Sequence, residues 1–128
     1  MKVLGLSGSL RADSHNSRLL RAAAELLPPG AELIVFDGLK AIPPYDQDDE
    51  PAGHQAVDAL RAAIVDADAV LVATPEYNHS LPGHFKNALD WVSRPITNRR
   101  AQRIDGLVPG GLVVLVVRRD RLQPVEDD

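Results

Sequence analysis

Residues 69–91 read AVLVATPEYNHSLPGHFKNALDW, a stretch that predicts a strand, a tight turn and a helix in succession. The continuously apolar run Ala69–Ala73 is typical of a strand that is covered on both faces of a sheet. Pro75 is expected to end the strand because proline has no amide donor for the next hydrogen bond. Four hydrogen-bonding side chains follow in Glu76–His79. Apolar residues at helical spacing then mark a helix, namely Phe85, Ala88, Leu89 and Val92. This stretch therefore predicts an α/β fold with a polar turn at the end of a buried strand.

The same alternation of strand and helix recurs on either side of this stretch. Strands are predicted at Lys2–Leu6, Leu33–Phe36 and Leu112–Val117, and helices around Leu20 and Leu60. Strands that alternate with helices favour a doubly wound parallel sheet with helices on both faces, a three-layer αβα architecture. In such sheets ligands bind beyond the carboxyl ends of the strands, where the strand order reverses. The loops after the first and third strands are therefore expected to lie side by side.

Length, charge and the lack of cysteine narrow the class of protein. The 128 residues are expected to form a single domain, residues 1–128. Without cysteine the chain has neither disulfides nor thiolate metal sites, which favours a reducing compartment. The net charge of −4 gives no indication of nucleic-acid binding, and no signal peptide or membrane-spanning apolar stretch is found. We expect a cytoplasmic protein with no nucleic-acid or membrane partner.

The loop after the first strand, GSLRADSHNSRLL (residues 8–20), offers the groups that hold a phosphate. Its hydroxyl, amide and guanidinium donors belong to Ser9, Arg11, Ser14, Asn16 and Ser17. The next helix begins near Asn16, so its free N–H groups and the positive end of its dipole point into the same loop. Neither the Walker pattern nor G-x-G-x-x-G is present, which argues against ATP and against an ordinary dinucleotide fingerprint. A second interpretation stays open, in which Ser14 or Asn16 only caps the helix and Arg11 is a surface charge.

The turn after the third strand is suited to a flat heteroaromatic ring. Ser80 is expected to cap the following helix, with Pro82 in its first turn. Glu76–His79 is then a short exposed loop whose side chains and N–H groups match a ring with donors and acceptors on its rim. Tyr77 is expected to pack beside that ring. The alternative is a polar turn with a helix cap and no ligand.

Three segments together resemble the NADPH-dependent FMN reductase family, which includes quinone, azo and chromate reductases of the flavodoxin-like fold. They are GSLRADSHNSRLL, IPPYDQDDE (residues 42–50) and TPEYNHSLPGHFKNALDWVSRP (residues 74–95). The resemblance covers residues 1–95 and implies that the FMN phosphate is bound by Ser9, Arg11, Ser14, Asn16 and Ser17. It also implies that the isoalloxazine ring is lined by Pro75, Glu76, Tyr77, Asn78 and His79. His79 stands where the family often has glycine.

The same resemblance implies an NAD(P)H-dependent oxidoreductase. A hydride would pass from NADPH or NADH through FMN to a quinone, flavin, azo or similar small-molecule acceptor, and related reductases form homodimers or homotetramers. This chemistry belongs to the cofactor, so no catalytic residue is assigned in the protein. No metal site is predicted, because His79 and His84 are five residues apart and no third ligand accompanies them. The acidic run Asp46–Glu50 is interpreted as a solvated loop, and Trp91 as a packing or subunit-contact residue.

The family pattern is lost after Pro95. Residues 98–128 hold six of the 14 basic residues, all of them arginine. This atypical segment is expected to be a truncated or frameshifted coding end, or else part of a compact variant in which Leu112–Val117 is the fourth strand. Either way the fifth strand and last helix of the family would be missing, and we expect reduced stability or rescue by oligomerisation. Two further hypotheses follow: a non-catalytic, electron-carrying FMN module, and an inactive fragment.

Overall fold

The structure, a computed structural model, describes residues 1–94 in full and the backbone of residues 112–118. The elements in chain order are β1 (Lys2–Ser7), α1 (His15–Glu25), β2 (Glu32–Phe36), α2 (Gln55–Asp66), β3 (Ala69–Pro75), α3 (Gly83–Val92) and β4 (Leu112–Arg118). Two short 3-10 helices, Gly38–Ala41 and Glu50–Ala52, lie between β2 and α2. Every predicted strand and helix is found. In the described part of the chain, none of the helices combines the length and the apolar character needed to cross a bilayer.

The four strands form one sheet in the order β2-β1-β3-β4. β1 lies in the middle and runs parallel to both β2 and β3, which confirms the parallel αβα arrangement for these three strands. The chain moves from β1 to one side through α1 and then returns past β1 to β3 through α2. The strand order therefore reverses between β1 and β3, and the loops that follow these two strands flank the point of reversal.

β4 lies where a fourth strand was predicted, but it runs antiparallel to β3 and not parallel to it. Leu112 is paired with Pro75 and Arg118 with Ala69, so the strand runs back toward the amino edge of the sheet. An antiparallel neighbour satisfies the free N–H and C=O groups along the edge of β3 as well as a parallel one does. The apolar run predicts the strand but carries no information on its direction. The rest of the atypical segment 98–128 lies outside the described residues.

The helices cover both faces of the sheet. On one face Leu4 and Leu6 pack with Leu60 of α2 and Phe85 of α3, all nearly inaccessible to solvent. On the other face α1 places the fully buried Leu20 over β1, where the side chain passes close to Gly5. These contacts remove apolar surface from water on both sides of β1 and fix its carboxyl end in the centre of the molecule.

The loop between β2 and α2 is fastened to α3 by polar contacts of buried and half-buried side chains. Asn87 accepts a hydrogen bond from the amide of Tyr45 at 2.7 Å and donates one to the carbonyl of Pro43 at 2.8 Å. Trp91 donates to the same carbonyl at 2.9 Å and meets the Tyr45 ring edge-on at 5.2 Å. The Tyr45 hydroxyl donates to Glu50, which raises the pKa of the tyrosine. Trp91 is 1% exposed, so its predicted packing role is confirmed.

Candidate functional site

The loops after β1 and β3 are in direct contact. The amide of Gly8, the residue that follows β1, donates to the carbonyl of Ala73 at 2.7 Å, and Ala73 is the last residue of β3 that pairs with β1. A Cβ atom on Gly8 would lie 2.0 Å from Oγ1 of Thr74, whose side chain is fully buried. Glycine is therefore required here for the close approach of the two loops.

A chain of serine hydroxyls joins the end of β1 to the start of α1. Ser17 donates to Oγ of Ser7 at 3.1 Å, and the hydroxyls of Ser14 and Ser17 are 2.9 Å apart. The Ser14 hydroxyl also accepts from the amide of Ser17 at 3.0 Å, which confirms it as the N-cap of α1. Ser7 was missed at the sequence level, although a polar residue that ends an apolar strand is the signal that indicates it.

Asn16 has a buried polar atom without a partner. Its side chain is 7% exposed, and Oδ1 has no hydrogen-bond partner among the described residues. Such a group is rare in native proteins and calls for an explanation. Asn16 lies in the first turn of α1, where backbone N–H groups are free of intrahelical bonds and the helix dipole is positive. A half-turn of the amide exchanges its oxygen and its NH₂ group, so the residue can present a donor to an anion.

Among residues 1–94, the Asp13 carboxylate forms ion pairs with two of the three arginines around this loop. Asp13 pairs with Arg18 and lies 3.9 Å from Arg21, and the hydrogen bond from Arg18 lowers the pKa of the Asp13 carboxyl. Arg11 instead donates to the backbone carbonyl of Asp13 at 2.9 Å. Its side chain is exposed and forms no ion pair within 4 Å among residues 1–94, although its charge also helps to lower the pKa of Asp13.

The turn after β3 is a two-residue hairpin. The amide of Tyr77 donates to the carbonyl of Ser80 at 2.9 Å, and the amide of Ser80 donates back to Tyr77 at 3.1 Å. The two central residues, Asn78 and His79, both have positive φ, at 53° and 61°, which is the type I′ geometry. Ser80 therefore does not cap α3, contrary to the prediction. The cap position is Pro82, whose side chain has no group that can make a hydrogen bond.

The predicted ring-lining residues are presented on the outside of this hairpin. Pro75 is half-buried at the end of β3, while Glu76, Tyr77, Asn78 and His79 are exposed. Tyr77 leaves 54% of its surface accessible, a large value for an aromatic side chain. The hairpin thus offers an exposed aromatic side chain and exposed polar groups directly after β3, the strand that Gly8 contacts.

His84 was considered at the sequence level only as a metal ligand, and the structure places it behind the two loops. Its Nε2 atom is buried without a hydrogen-bond partner among the described residues. Burial lowers the pKa of His84, and the nearby backbone of Gly8 opposes this effect. The residue supports the first loop from α3. A histidine in the first turn of a helix near the ligand edge was the signal available in the sequence.

The order of the strands, the two loops at the reversal point and the anion-binding features of the first loop define a flavodoxin-like α/β protein. The sequence model of the NADPH-dependent FMN reductase family matches residues 1–122. The chain belongs to this family. The match extends beyond Pro95, where the recognisable motifs end.

Proteins of known activity show similarity over most of this chain. An NAD(P)H-dependent FMN reductase of Pseudomonas aeruginosa is 50% identical over 96 residues, which cover 74% of this chain and 51% of the relative. A 2-hydroxy-1,4-benzoquinone reductase of a Burkholderia species is 40% identical over 113 residues, or 88% of this chain and 59% of the relative.

A solved structure shows the same fold. FerB, a flavoenzyme NAD(P)H:(acceptor) oxidoreductase from Paracoccus denitrificans, superposes with a TM-score of 0.67 at 38% sequence identity. The superposition covers 73% of this chain and 51% of FerB. The chain thus spans about half of the length of these relatives, or slightly more.

Proposed function

We propose that the protein is an FMN-dependent NAD(P)H oxidoreductase that reduces a quinone or a similar small-molecule acceptor such as a flavin or azo compound. The observation that carries this proposal is the contact of Gly8 with Ala73 and Thr74, which joins a phosphate-binding loop to an exposed polar hairpin. A flavin mononucleotide has a dianionic phosphate at one end and a flat polar ring at the other. The two loops supply what each end needs.

The first loop would hold the phosphate. Hydroxyls of Ser9, Ser14 and Ser17, the amide of Asn16 and the guanidinium of Arg11 are donors, and the helix dipole of α1 adds a favourable field. A half-turn of its buried amide would let Asn16 direct its NH₂ group to the anion. The exposed guanidinium of Arg11, which bonds a backbone carbonyl and forms no ion pair within 4 Å among residues 1–94, would add a positive charge. The residues present therefore match the phosphate end of the cofactor.

The hairpin would hold the ring. Backbone N–H groups of Asn78 and His79 are not used to close the hairpin, so they remain available to acceptors on the ring edge. Tyr77 and Pro75 offer flat apolar surface beside it. Bound FMN would supply the hydride chemistry between a nicotinamide and the acceptor, and the protein would bind the flavin, orient it and exclude water from one of its faces.

The proposal can be tested by incubating the purified protein with FMN and measuring whether the flavin binds and is reduced. We expect quenching of flavin fluorescence on binding, a higher melting temperature, and bleaching of the yellow colour by NADPH without oxygen. A protein that neither quenches FMN fluorescence nor gains thermal stability would refute flavin binding. Binding without bleaching by NADPH or NADH would favour an electron-carrying FMN module over a reductase.

The substitution Arg11→Ala tests the phosphate end. It should weaken FMN binding by about 10- to 150-fold, because a hydrogen bond to a charged group contributes about 1.5–3 kcal/mol. Riboflavin, which lacks the phosphate, should bind almost as well as to the wild type. Dissociation constants from fluorescence titration give both numbers.

The matched control for this substitution is Arg21→Ala, which removes an arginine that faces Asp13 from the next turn of α1. It should change the affinity for FMN far less than Arg11→Ala does. Equal losses for FMN and riboflavin in Arg11→Ala would show that Arg11 does not contact the phosphate.

The cytoplasmic location, the homodimer or homotetramer and the folding of residues 1–128 as one domain stay predictions.

A further inference from the structure

Glu76 and His79 form a titratable pair on the hairpin after β3. Oε1 of Glu76 lies 3.4 Å from Nδ1 of His79. The His79 side chain is 98% exposed, so its second ring nitrogen, Nε2, faces the solution. Within the described residues, Glu76 is the charged group that meets this imidazole. A carboxylate on one nitrogen and open access on the other is the arrangement by which proteins orient a proton-donating imidazole.

The stability of the hairpin does not explain why the residue is histidine. His79 has a φ of 61°, a left-handed conformation that costs an L-residue about 1–2 kcal/mol and that glycine adopts freely. The backbone hydrogen bonds between Tyr77 and Ser80 close the turn whatever side chain stands there. An imidazole that is almost fully exposed gains little packing energy in return. The imidazole is therefore accessible to a molecule that binds at the hairpin.

We propose that His79 donates a proton to the reduced acceptor and that Glu76 orients its ring for this step. The inference rests on the proposed quinone reductase function. A quinone that accepts a hydride gains two electrons and one proton, which leaves one of its oxygens as an anion. That oxygen takes the proton from Nε2 of protonated His79, which gives the neutral hydroquinone and a neutral imidazole. Solvent, to which the ring is open, then returns a proton to the histidine.

Two acceptors separate this role from a general role in flavin binding. Ferricyanide takes one electron at a time and no proton, whereas benzoquinone needs a proton to become hydroquinone. FMN-saturated protein is reduced with one equivalent of NADPH without oxygen and is then mixed with either acceptor in a stopped-flow instrument. The quantity compared is the ratio of the benzoquinone rate to the ferricyanide rate.

His79→Gly should lower this ratio by about 100-fold at neutral pH, at the lower end of the range for general acid catalysis because water can replace the imidazole in part. Glycine is the residue that the left-handed position favours, so the variant should melt at the wild-type temperature or above. Glu76→Ala should lower the ratio less, because the imidazole remains but is no longer oriented.

The matched control is His54→Asn, which replaces another exposed histidine. His54 accepts a hydrogen bond from the amide of Ala56 at the start of α2, and asparagine is an equally good cap. Its ratio should equal that of the wild type. The proposal would be overturned if the rate ratio of His79→Gly equalled that of the wild type. It would also be overturned if the ratio fell as much in His54→Asn as in His79→Gly. If the wild-type flavin is not reduced by NADPH or NADH at all, the proposed function fails first, and this outcome is seen before any variant is made.

A second readout needs no flavin. In FMN-free protein labelled with ¹⁵N-histidine, the Glu76 carboxylate should hold the proton of the neutral His79 ring on Nδ1. Glu76→Ala should shift the tautomer population of His79 toward the form protonated on Nε2, and His54 should not respond. Identical nitrogen shifts of His79 in both proteins would show that Glu76 does not orient the ring, and would remove the positioning half of the proposal.

Discussion

Gly8 makes the closest approach in the candidate site, so a single methyl group there has a predictable cost. In Gly8→Ala the new Cβ atom would lie 2.0 Å from Oγ1 and 2.9 Å from the backbone Cα of Thr74. The backbone of one loop must move, and we expect the free energy of unfolding to fall by about 3 kcal/mol, the upper end of the usual range for overpacking. FMN affinity should fall as well, since the two loops would separate. Denaturant unfolding and flavin titration measure the two effects.

Gly83→Ala is the control for this substitution. Gly83 is the first residue of α3, and no atom lies within 4 Å of the position that the new methyl group would take. Alanine favours the helix over glycine by about 0.5–1 kcal/mol, so this variant should be as stable as the wild type or slightly more so. Equal unfolding midpoints for the two variants would contradict the steric role of Gly8.

The residues that could be predicted from the sequence are those whose role is local. Ser14 caps α1 because a serine before a helix satisfies a free amide wherever the helix packs. Ser80 was assigned to α3 by the same rule, and the structure shows that the hairpin closure between Tyr77 and Ser80 takes precedence. The contact of Gly8 with Thr74 joins residues that are far apart in the chain, so no local pattern reveals it.

At the scale of elements, α3 connects the ligand edge to the loop between β2 and α2. Asn87 accepts from the amide of Tyr45 and donates to Pro43, and both groups lie in a segment without regular structure. In Asn87→Ala the amide of Tyr45 loses its partner in a half-buried place, so we expect the free energy of unfolding to fall by about 1–3 kcal/mol. Equilibrium urea unfolding measures the loss.

Lys86→Ala is the neighbouring control on the same helix. Lys86 is exposed and pairs with Asp90 one turn later, at 2.7 Å, a surface ion pair of the kind that contributes little. Its unfolding midpoint should stay close to that of the wild type. A loss in Asn87→Ala no greater than in Lys86→Ala would show that the loop is not held by this contact.

The direction of β4 could not be predicted from the sequence pattern of the strands and helices. β1, β2 and β3 are parallel because each is followed by a helix that returns the chain to the same edge, and this alternation is visible in the sequence. The apolar run Leu112–Val117 predicts a strand equally well in either direction. The direction of β4 depends on how the strand reaches the free edge of β3, with which it pairs antiparallel. Which strand has a free edge is known only from the assembled sheet.

For the whole molecule, the two-loop site predicts how ligands of different size should protect the chain from hydrogen exchange. FMN should slow amide exchange in both the first loop and the hairpin, because its phosphate and its ring are held by different loops. Inorganic phosphate should protect residues 9–17 alone, and riboflavin residues 76–80 alone. The amide of Lys2, bonded to Asp68 at 2.7 Å on the opposite edge of the sheet, serves as an internal control and should respond to none of them. Mass spectrometry of peptides from these three regions reads the pattern directly. Protection by FMN confined to residues 9–17, with no change at residues 76–80, would mean that the hairpin does not hold the ring, and the site would then be an anion site with no flavin function.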